Sequence, residues 1–166
     1  MAVANTKSTL ITNADATPPV TTSSYIGAGV VRESVGTVET LAADDASSVY
    51  RLVRVPSNAR ITSILLASDA ITGASQADVG IYKTAADGGA VVDADYFANN
   101  VDISSATAFT EVLLQATATD IVQVEKRVWE GAAALAADTF KEYDICVTVN
   151  DVTAAGTISM KVKWVI

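Results

Sequence analysis

The chain has 166 residues, a mass of 17.2 kDa, 50% hydrophobic residues and a mean hydropathy of +0.33, which suits one folded domain and argues against a disordered chain. Its 11 basic and 19 acidic residues give a net charge of −8, which excludes the usual basic nucleic-acid binder and disfavours an anionic membrane surface as a partner. With no histidine and one cysteine, the chain can form no Ser-His-Asp triad, no histidine metal site and no internal disulfide.

Residues 1–24 predict an N-terminal arm rather than a core element. They are rich in Thr, Ser and Asn and contain Pro18-Pro19, through which a regular strand or helix cannot continue. A short extended piece, residues 8–12, could still pair with another segment. Two alternatives stay open here: a loose terminus, or an arm that becomes ordered on a partner.

The N-terminus also lacks an export signal. Residues 5–9 interrupt any apolar stretch at the start, whereas a signal peptide needs an unbroken run of ~7–15 apolar residues. No run approaches the ~18 apolar residues of a membrane span. We therefore expect a protein that stays in the cytoplasm where it is made, or is released by lysis.

Residues 25–166 predict a β-sandwich, because short strands alternate with turn signals about every ten residues. The candidate strands are residues 29–34 and 36–41 around a break at Gly36, then 48–55, 60–67, 78–84, 108–115, 143–150 and 157–166. The segment 48–55 is apolar on both faces, which favours a central strand with Val53 and Val55 on the same face as Arg51. The composition of 29 Ala, 22 Val and 19 Thr favours a thin aliphatic core between two closely spaced sheets.

One helix is predicted within the sandwich domain. Ile121, Val124, Val128 and Leu135 follow helical spacing. Asp120 is the candidate N-cap, with Gln123 completing a pattern similar to a capping box.

Candidate chemistry is sparse. Asp93 and Asp95 begin like a calcium loop, but the sixth and twelfth positions are Ala98 and Ser104 instead of the required Gly and Glu. A solvated acidic loop is the preferred interpretation, and a different calcium site is the alternative.

The tryptophans and the cysteine also favour structural roles. Trp129 and Trp164 are in phase with core positions, which favours packing over a glycan-binding platform. Cys146 is interpreted as a small, inert thiol. Arg51, Arg54 and Arg60 flank one hairpin-like corner, where they could pair with carboxylates of this chain or of a partner.

The whole-chain pattern resembles the head decoration or cement proteins of podovirus-type tailed bacteriophages. The similar stretches are KSTLITNADATP (7–18), VVRESVGTVETLAADDASSVYRLVRVPSNARI (30–61), DVGIYKTAADGGAVVDADYFA (78–98), EKRVWE (125–130) and YDICVTVN (143–150). The resemblance implies a jelly-roll fold and dimers on the outside of a capsid shell, where they reinforce contacts between subunits. It carries over no catalytic residue.

These observations lead to one hypothesis. The chain is expected to be all-β: a jelly-roll-like antiparallel β-sandwich over residues 25–166 with one short helix, preceded by an extended N-terminal arm over residues 1–24. We expect a structural virion protein on the outer capsid surface, with the phage major capsid protein and a second copy of itself as partners. No enzyme activity, cofactor, metal, nucleic acid or membrane is expected. The candidate capsid contacts are Lys7, Thr9, Ile11, Arg51, Arg54 and Arg60.

Two other functions remain open at this point. The first is a carbohydrate-binding or receptor-binding β-sandwich module, which would need exposed aromatic side chains in a groove. The second is a tail or neck structural protein of a phage.

Overall fold

The computed structural model describes residues 6–42, 44–73, 76–114, 121–151 and 154–166. Within these ranges there are one short α-helix and eight β-strands. The helix α1 is Thr9–Ala14, and the strands are β1 Arg32–Thr40, β2 Val49–Pro56, β3 Arg60–Ser68, β4 Ala77–Lys83, β5 Val91–Val101, β6 Thr107–Glu111, β7 Glu142–Val149 and β8 Gly156–Val165. Two 3₁₀ helices, Ala85–Asp87 and Ile121–Glu125, lie in the connections.

The strands form two four-stranded antiparallel sheets, ordered β1-β8-β3-β6 and β2-β7-β4-β5. Successive strands alternate between the sheets, except that β4 and β5 form a hairpin within one of them. This strand order is that of an eight-stranded jelly roll built from two Greek keys. The predicted all-β sandwich with one short helix is therefore confirmed, but the α-helix lies in the N-terminal arm and not within the sandwich domain as predicted.

The core lies between the two sheets and is mainly aliphatic. Strand β7 is central in its sheet and is buried along nearly its whole length. The core side chains that are fully shielded from solvent include Val55, Ile64, Val79, Ile81, Ile145, Val147, Val149, Ile158 and Met160. Four aromatic side chains join this cluster: Tyr50, Phe97, Tyr143 and Trp164. Alternate residues of β8, namely Ile158, Met160, Val162 and Trp164, belong to it, whereas Ile166 just after the strand is exposed.

One side of the sandwich is closed by contact between the edge strands β1 and β2. A Cβ atom on Gly36 would lie 2.0 Å from the backbone oxygen of Leu52, a distance that no side chain tolerates. The predicted break at Gly36 between two strands is therefore wrong. Gly36 lies inside the single strand β1 and permits the close approach of the neighbouring backbone.

A β-bulge at the same residue, Leu52, explains an error in the prediction for β2. The register between β2 and β7 shifts between Arg51 and Val53, so Leu52 forms a β-bulge and the side chains after it change face. Val53 and Val55 are buried, whereas Arg51 is exposed. Strand β2 is also an edge strand, not the predicted central one.

The predicted helix beginning at Ile121 is wrong in extent. A 3₁₀ helix covers Ile121–Glu125, and turns follow over residues 128–133. Val128 and Trp129 instead donate backbone hydrogen bonds to the oxygens of Ala59 and Ser57, at 2.9 and 3.1 Å. Docking against the turn between β2 and β3 therefore replaces helical hydrogen bonds; the candidate cap Asp120 lies outside the described residues.

Candidate protein interaction surface

The described part of the N-terminal arm, residues 6–24, folds locally and buries little. Ser8 caps helix α1 by accepting a hydrogen bond from the backbone of Ile11 at 3.3 Å, and Lys7 forms an ion pair with Asp15 at 2.7 Å. Helix α1 has no buried residue, and an isolated helix of this length is marginal in water. The extended piece predicted at residues 8–12 is therefore helical instead.

The arm carries exposed apolar side chains. Leu10, Ile11 and Val20 are 41%, 47% and 54% exposed. Single exposed apolar side chains are common on soluble proteins, but these three lie on one segment that packs little against the sandwich. This part of the arm is therefore suited to contact another protein.

The root of the arm, Ser24-Tyr25, is tied to the sandwich at three points. Ser24 Oγ donates a hydrogen bond to the backbone oxygen of Ile166 at 3.1 Å. Arg60 Nε, at the start of β3, donates to the backbone oxygen of Tyr25. The guanidinium of Arg127 stacks on the Tyr25 ring at 4.4 Å from its centre. The root is thus fixed, although the arm beyond it is not packed into the core.

A groove of about 710 Å³ lies between the arm and the 3₁₀ helix Ile121–Glu125 with the turn that follows it. The arm contributes mainly hydroxyl and amide groups, such as those of Thr9 and Asn13. The sandwich contributes charged groups, including Arg60 and Glu130. The structure thus places two of the predicted contact residues, Thr9 and Arg60, on one groove.

Arg51 and Arg54 meet a single buried carboxylate on the outer face of the other sheet. Asp144 accepts hydrogen bonds from Arg51 Nη1 at 2.9 Å and from Arg54 Nε at 2.7 Å. Burial alone would raise the pKa of Asp144, but the hydrogen bonds and charges of the two arginines outweigh it and lower that pKa below its usual value. Of the two alternatives for these arginines, pairing within the chain is present in the structure.

Arg51 and Arg54 differ in what they leave available to a partner. Arg51 also donates to the backbone oxygens of Lys83 and Gly89, at 2.8 and 2.7 Å, and so braces β2 against the β4–β5 hairpin. The Arg54 side chain is 50% exposed. Arg54 can therefore meet a partner carboxylate more readily than Arg51.

Asp93 and Asp95 lie on strand β5, not in the predicted acidic loop. Burial, followed by a hydrogen bond with Asp95, raises the pKa of Asp93. Hydrogen bonds from Asp93 and Asn99 lower the pKa of Asp95. Within the described ranges, no three metal-ligating side chains cluster in a way that could hold an ion.

The tryptophans and the cysteine that the sequence singled out are buried or partly buried within the fold. Trp164 is 7% exposed and belongs to the core. Trp129 is half-buried and lies outside the core cluster, so its predicted core position is wrong; its ring faces the Arg127 guanidinium at 4.8 Å. Cys146 is fully buried, which raises the pKa of its thiol to about 12. Among the described residues, no helix is long and apolar enough to cross a membrane.

A second exposed feature is Phe140, which sequence reasoning did not identify. It is 87% exposed and has a φ of 53°, in the left-handed region that favours glycine. Asp138 Oδ1 accepts hydrogen bonds from the Phe140 backbone at 2.9 Å and from Ser57 Oγ. The loop is therefore held in a conformation that presents an aromatic ring to solvent.

Sequence reasoning also missed Tyr25 and Asp144, and it did not identify the stacking of Arg127 on Tyr25. Their partners are distant in sequence: Arg127 meets Tyr25 from 102 positions away, and Asp144 meets Arg54 from 90 positions away. A local signal existed only for Glu130, which lies three residues after Arg127 at helical-turn spacing and pairs with it at 2.7 Å.

No protein-family model matches the chain, and no curated protein matches it significantly. Two solved structures contain chains of similar fold. A chain of the cyanophage Pam1 capsid asymmetric unit is 15% identical with a TM-score of 0.52, and the match covers 83% of this chain and 86% of that one. A chain of the capsid of Ralstonia phage GP4 is 18% identical with a TM-score of 0.57, with 82% and 84% covered. At these identities the similarity is one of fold.

Proposed function

We propose that this chain is a structural protein of a bacteriophage virion that binds the outer surface of the capsid and cements contacts between major capsid protein subunits. The observation that carries the proposal is the combination of a jelly-roll sandwich, similar in fold to chains of two phage capsid structures, with an arm whose apolar side chains are exposed. The proposal includes no catalytic activity and no cofactor.

The arm supplies the apolar part of the contact. Burying the half-exposed side chains of Leu10, Ile11 and Val20 on the shell would contribute about 1 kcal/mol each. Such contributions are modest singly, but they accumulate when arm and sandwich bind the same shell at once. Ordering the arm costs conformational entropy, and its rooted, partly helical state reduces that cost.

The net charge of −8 supports a protein partner over nucleic acid or an anionic membrane, since both would repel the chain at long range. Among the six candidate contacts, Lys7, Thr9 and Ile11 lie on the arm, where a shell subunit could reach them. Arg54 is the more available of the two arginines on Asp144.

A capsid-binding assay tests the proposal. Expanded capsids that lack this protein are incubated with the purified chain, and the bound fraction is measured after sedimentation. The wild-type chain is expected to bind saturably, and electron cryo-microscopy of the loaded particles should show it on the outer surface. Finding the chain only in the tail or neck of the virion, or absent from particles, would contradict the proposal.

A matched pair of variants tests the role of the arm. Ile11→Asp and Val91→Asp each place a carboxylate at an apolar side chain that is about half exposed, 47% and 55% respectively. Ile11→Asp is expected to weaken capsid binding at least fivefold, because the charge would be buried in an apolar contact. Val91→Asp, on the β4–β5 hairpin, serves as the control. If both variants bind capsids equally well, the arm is only a loose terminus. The same conclusion follows if a chain that lacks residues 1–24 binds as tightly as the wild-type chain.

We further propose that the free protein is a homodimer, since two-fold pairing is the commonest closed symmetry. Sedimentation equilibrium at micromolar concentration should give about twice the chain mass of 17.2 kDa. A strict monomer both free and on the capsid would refute this part of the proposal.

A further inference from the structure

The arm leaves the sandwich at Tyr25, and two arginines from distant parts of the chain hold that residue. Arg60 Nε donates to the backbone oxygen of Tyr25, and Arg60 Nη1 also donates to the backbone oxygen of Val124 at 3.4 Å. The Arg127 guanidinium stacks on the Tyr25 ring. Arg60 therefore holds the backbone of Tyr25 and Arg127 holds its ring. Both arginines belong to the sandwich domain.

Arg127 is held in place independently of the arm. Its guanidinium donates to both carboxylate oxygens of Glu130, at 3.0 and 2.7 Å, and its other aromatic neighbour is Trp129. A planar guanidinium fixed by a two-point carboxylate contact has little rotational freedom left. It forms a rigid platform on which the Tyr25 ring can rest.

Upstream of Tyr25, few contacts among the described residues restrain the arm. Helix α1 buries no residue, and the nearby turn is internal, with Ile26 and Gly27 donating backbone hydrogen bonds to the oxygen of Ser23. The direction in which residues 6–24 leave the sandwich is therefore determined mainly at Tyr25 and at the neighbouring Ser24 contact.

We propose that Arg60 and Arg127 act as positioning residues: through Tyr25 they fix the direction of the arm and so preorganise it for docking. This inference rests on the proposed capsid binding. It gives Arg60 a different task from direct contact with the shell, since its Nε and Nη1 already donate to the backbone oxygens of Tyr25 and Val124. A preorganised arm binds more tightly because a larger fraction of molecules is already competent to dock.

The direction of the arm can be measured in the free protein. Native Cys146 is fully buried with a raised thiol pKa, so cysteines introduced as Ala14→Cys and Val91→Cys can be spin-labelled selectively. Double electron–electron resonance then gives the distance distribution between the end of helix α1 and the β4–β5 hairpin. The wild-type background and Tyr25→Phe, which keeps the ring, should give the same narrow distribution.

Two variants remove the stacking contact between Arg127 and Tyr25 in different ways. Tyr25→Ala removes the ring, and Arg127→Lys keeps the charge but loses the planar stack, so a folding defect of one leaves the other informative. Each should broaden the distance distribution and weaken capsid binding about tenfold, as expected for the loss of a cation–π contact of this kind. The thermal midpoint of the sandwich should change little.

The outcomes separate the two proposals. An unchanged distance distribution in both variants would overturn the positioning role, whatever the capsids do. A broadened distribution with unchanged capsid affinity would show that the arm direction does not matter for docking. If the wild-type chain fails to bind capsids, the proposed function and the docking part of this inference are both wrong. The distances between the spin labels still show whether the arginines orient the arm.

Discussion

Replacing Asp144 by Asn should lower the free energy of unfolding by about 2 kcal/mol, because it removes the charge that holds two arginines on the outer face of the second sheet. Asp144 accepts from Arg51 Nη1 at 2.9 Å and from Arg54 Nε and Nη2 at 2.7 and 3.2 Å. Asn keeps the shape of the side chain, so packing around β7 is preserved and the effect reports the charge.

The magnitude follows from the burial of the three side chains. Breaking a fully buried ion pair costs about 3–5 kcal/mol. Here Asp144 is 6% exposed, but the side chains of Arg51 and Arg54 are 35% and 50% exposed and can regain hydrogen bonds to water. An Asn oxygen also still accepts from one arginine. About half of the buried-pair value therefore remains.

The effect should depend on pH. The pKa of Asp144 is lowered in the folded state, so the unfolded chain takes up a proton at this group at higher pH than the folded chain does. The contribution of Asp144 to stability is therefore complete above the unfolded carboxyl pKa of about 4. It is lost as the pH falls through the lower, folded value. The difference between wild type and Asp144→Asn should shrink over that range.

Urea unfolding followed by tryptophan fluorescence measures both effects, since Trp164 is in the core. The control is Asp15→Asn, which removes the exposed pair with Lys7 and should change stability by no more than about 0.5 kcal/mol. A loss below about 0.5 kcal/mol for Asp144→Asn at neutral pH, or a loss that does not change with acidification, would show that the charge of Asp144 does not stabilise the fold through the two arginines.

Three further predictions concern the fold. Gly36→Ala should cost about 2–3 kcal/mol in urea unfolding, because the new methyl group meets the Leu52 oxygen; an effect near zero would contradict the close approach. Phe140→Gly should raise stability by about 0.5–1 kcal/mol, since it relieves a left-handed backbone and removes little buried surface; a clear loss in the same assay would show that the ring packs within the chain. Cys146 should react with a thiol reagent such as dithionitrobenzoate only after unfolding, because it is buried; rapid labelling of the native chain would disprove this.

Strands with a regular two-residue pattern could be predicted from the sequence. Strand β8 alternates Ile158, Met160 and Val162 inward with polar residues outward, and its observed range differs from the prediction by one residue at each end. A two-residue period identifies such a strand because one of its faces is buried. The same logic placed β3, β4 and β7 within about one residue.

Irregular strands could not be predicted, because bulges change the period. Strand β5 pairs with β4 through three register shifts, and Gly80 lies where the backbone oxygens of Asp93 and Ala94 cross over it. Each shift exchanges the inward and outward positions, which is why residues 91–104 showed no clean pattern. The single bulge at Leu52 reversed the faces of β2 for the same reason.

The candidate surface was only partly predictable. The polar composition and Pro18-Pro19 identified the arm, and charge identified the arginines as a basic cluster. They could not show that Arg51 and Arg54 share Asp144, or that Arg127 stacks on Tyr25, because these contacts join residues about 90 to 102 positions apart. Only the jelly-roll topology brings those segments together, and no local pattern encodes it.

The distribution of charge bears on how the chain would dock. Among the described residues, at least six of the 11 basic side chains form ion pairs within the chain: Lys7, Arg51, Arg54, Arg127, Lys141 and Lys163. Arg60 is bound to backbone oxygens, and Lys161 lies over the Phe109 ring at 4.2 Å. Basic groups with internal partners would have to give them up to bind a shell carboxylate, which offsets the gain. The binding free energy in the proposed contact is therefore expected to come mainly from the apolar side chains of the arm. Arg60 and Arg127 are then expected to contribute to capsid binding more by positioning the arm than by their charge.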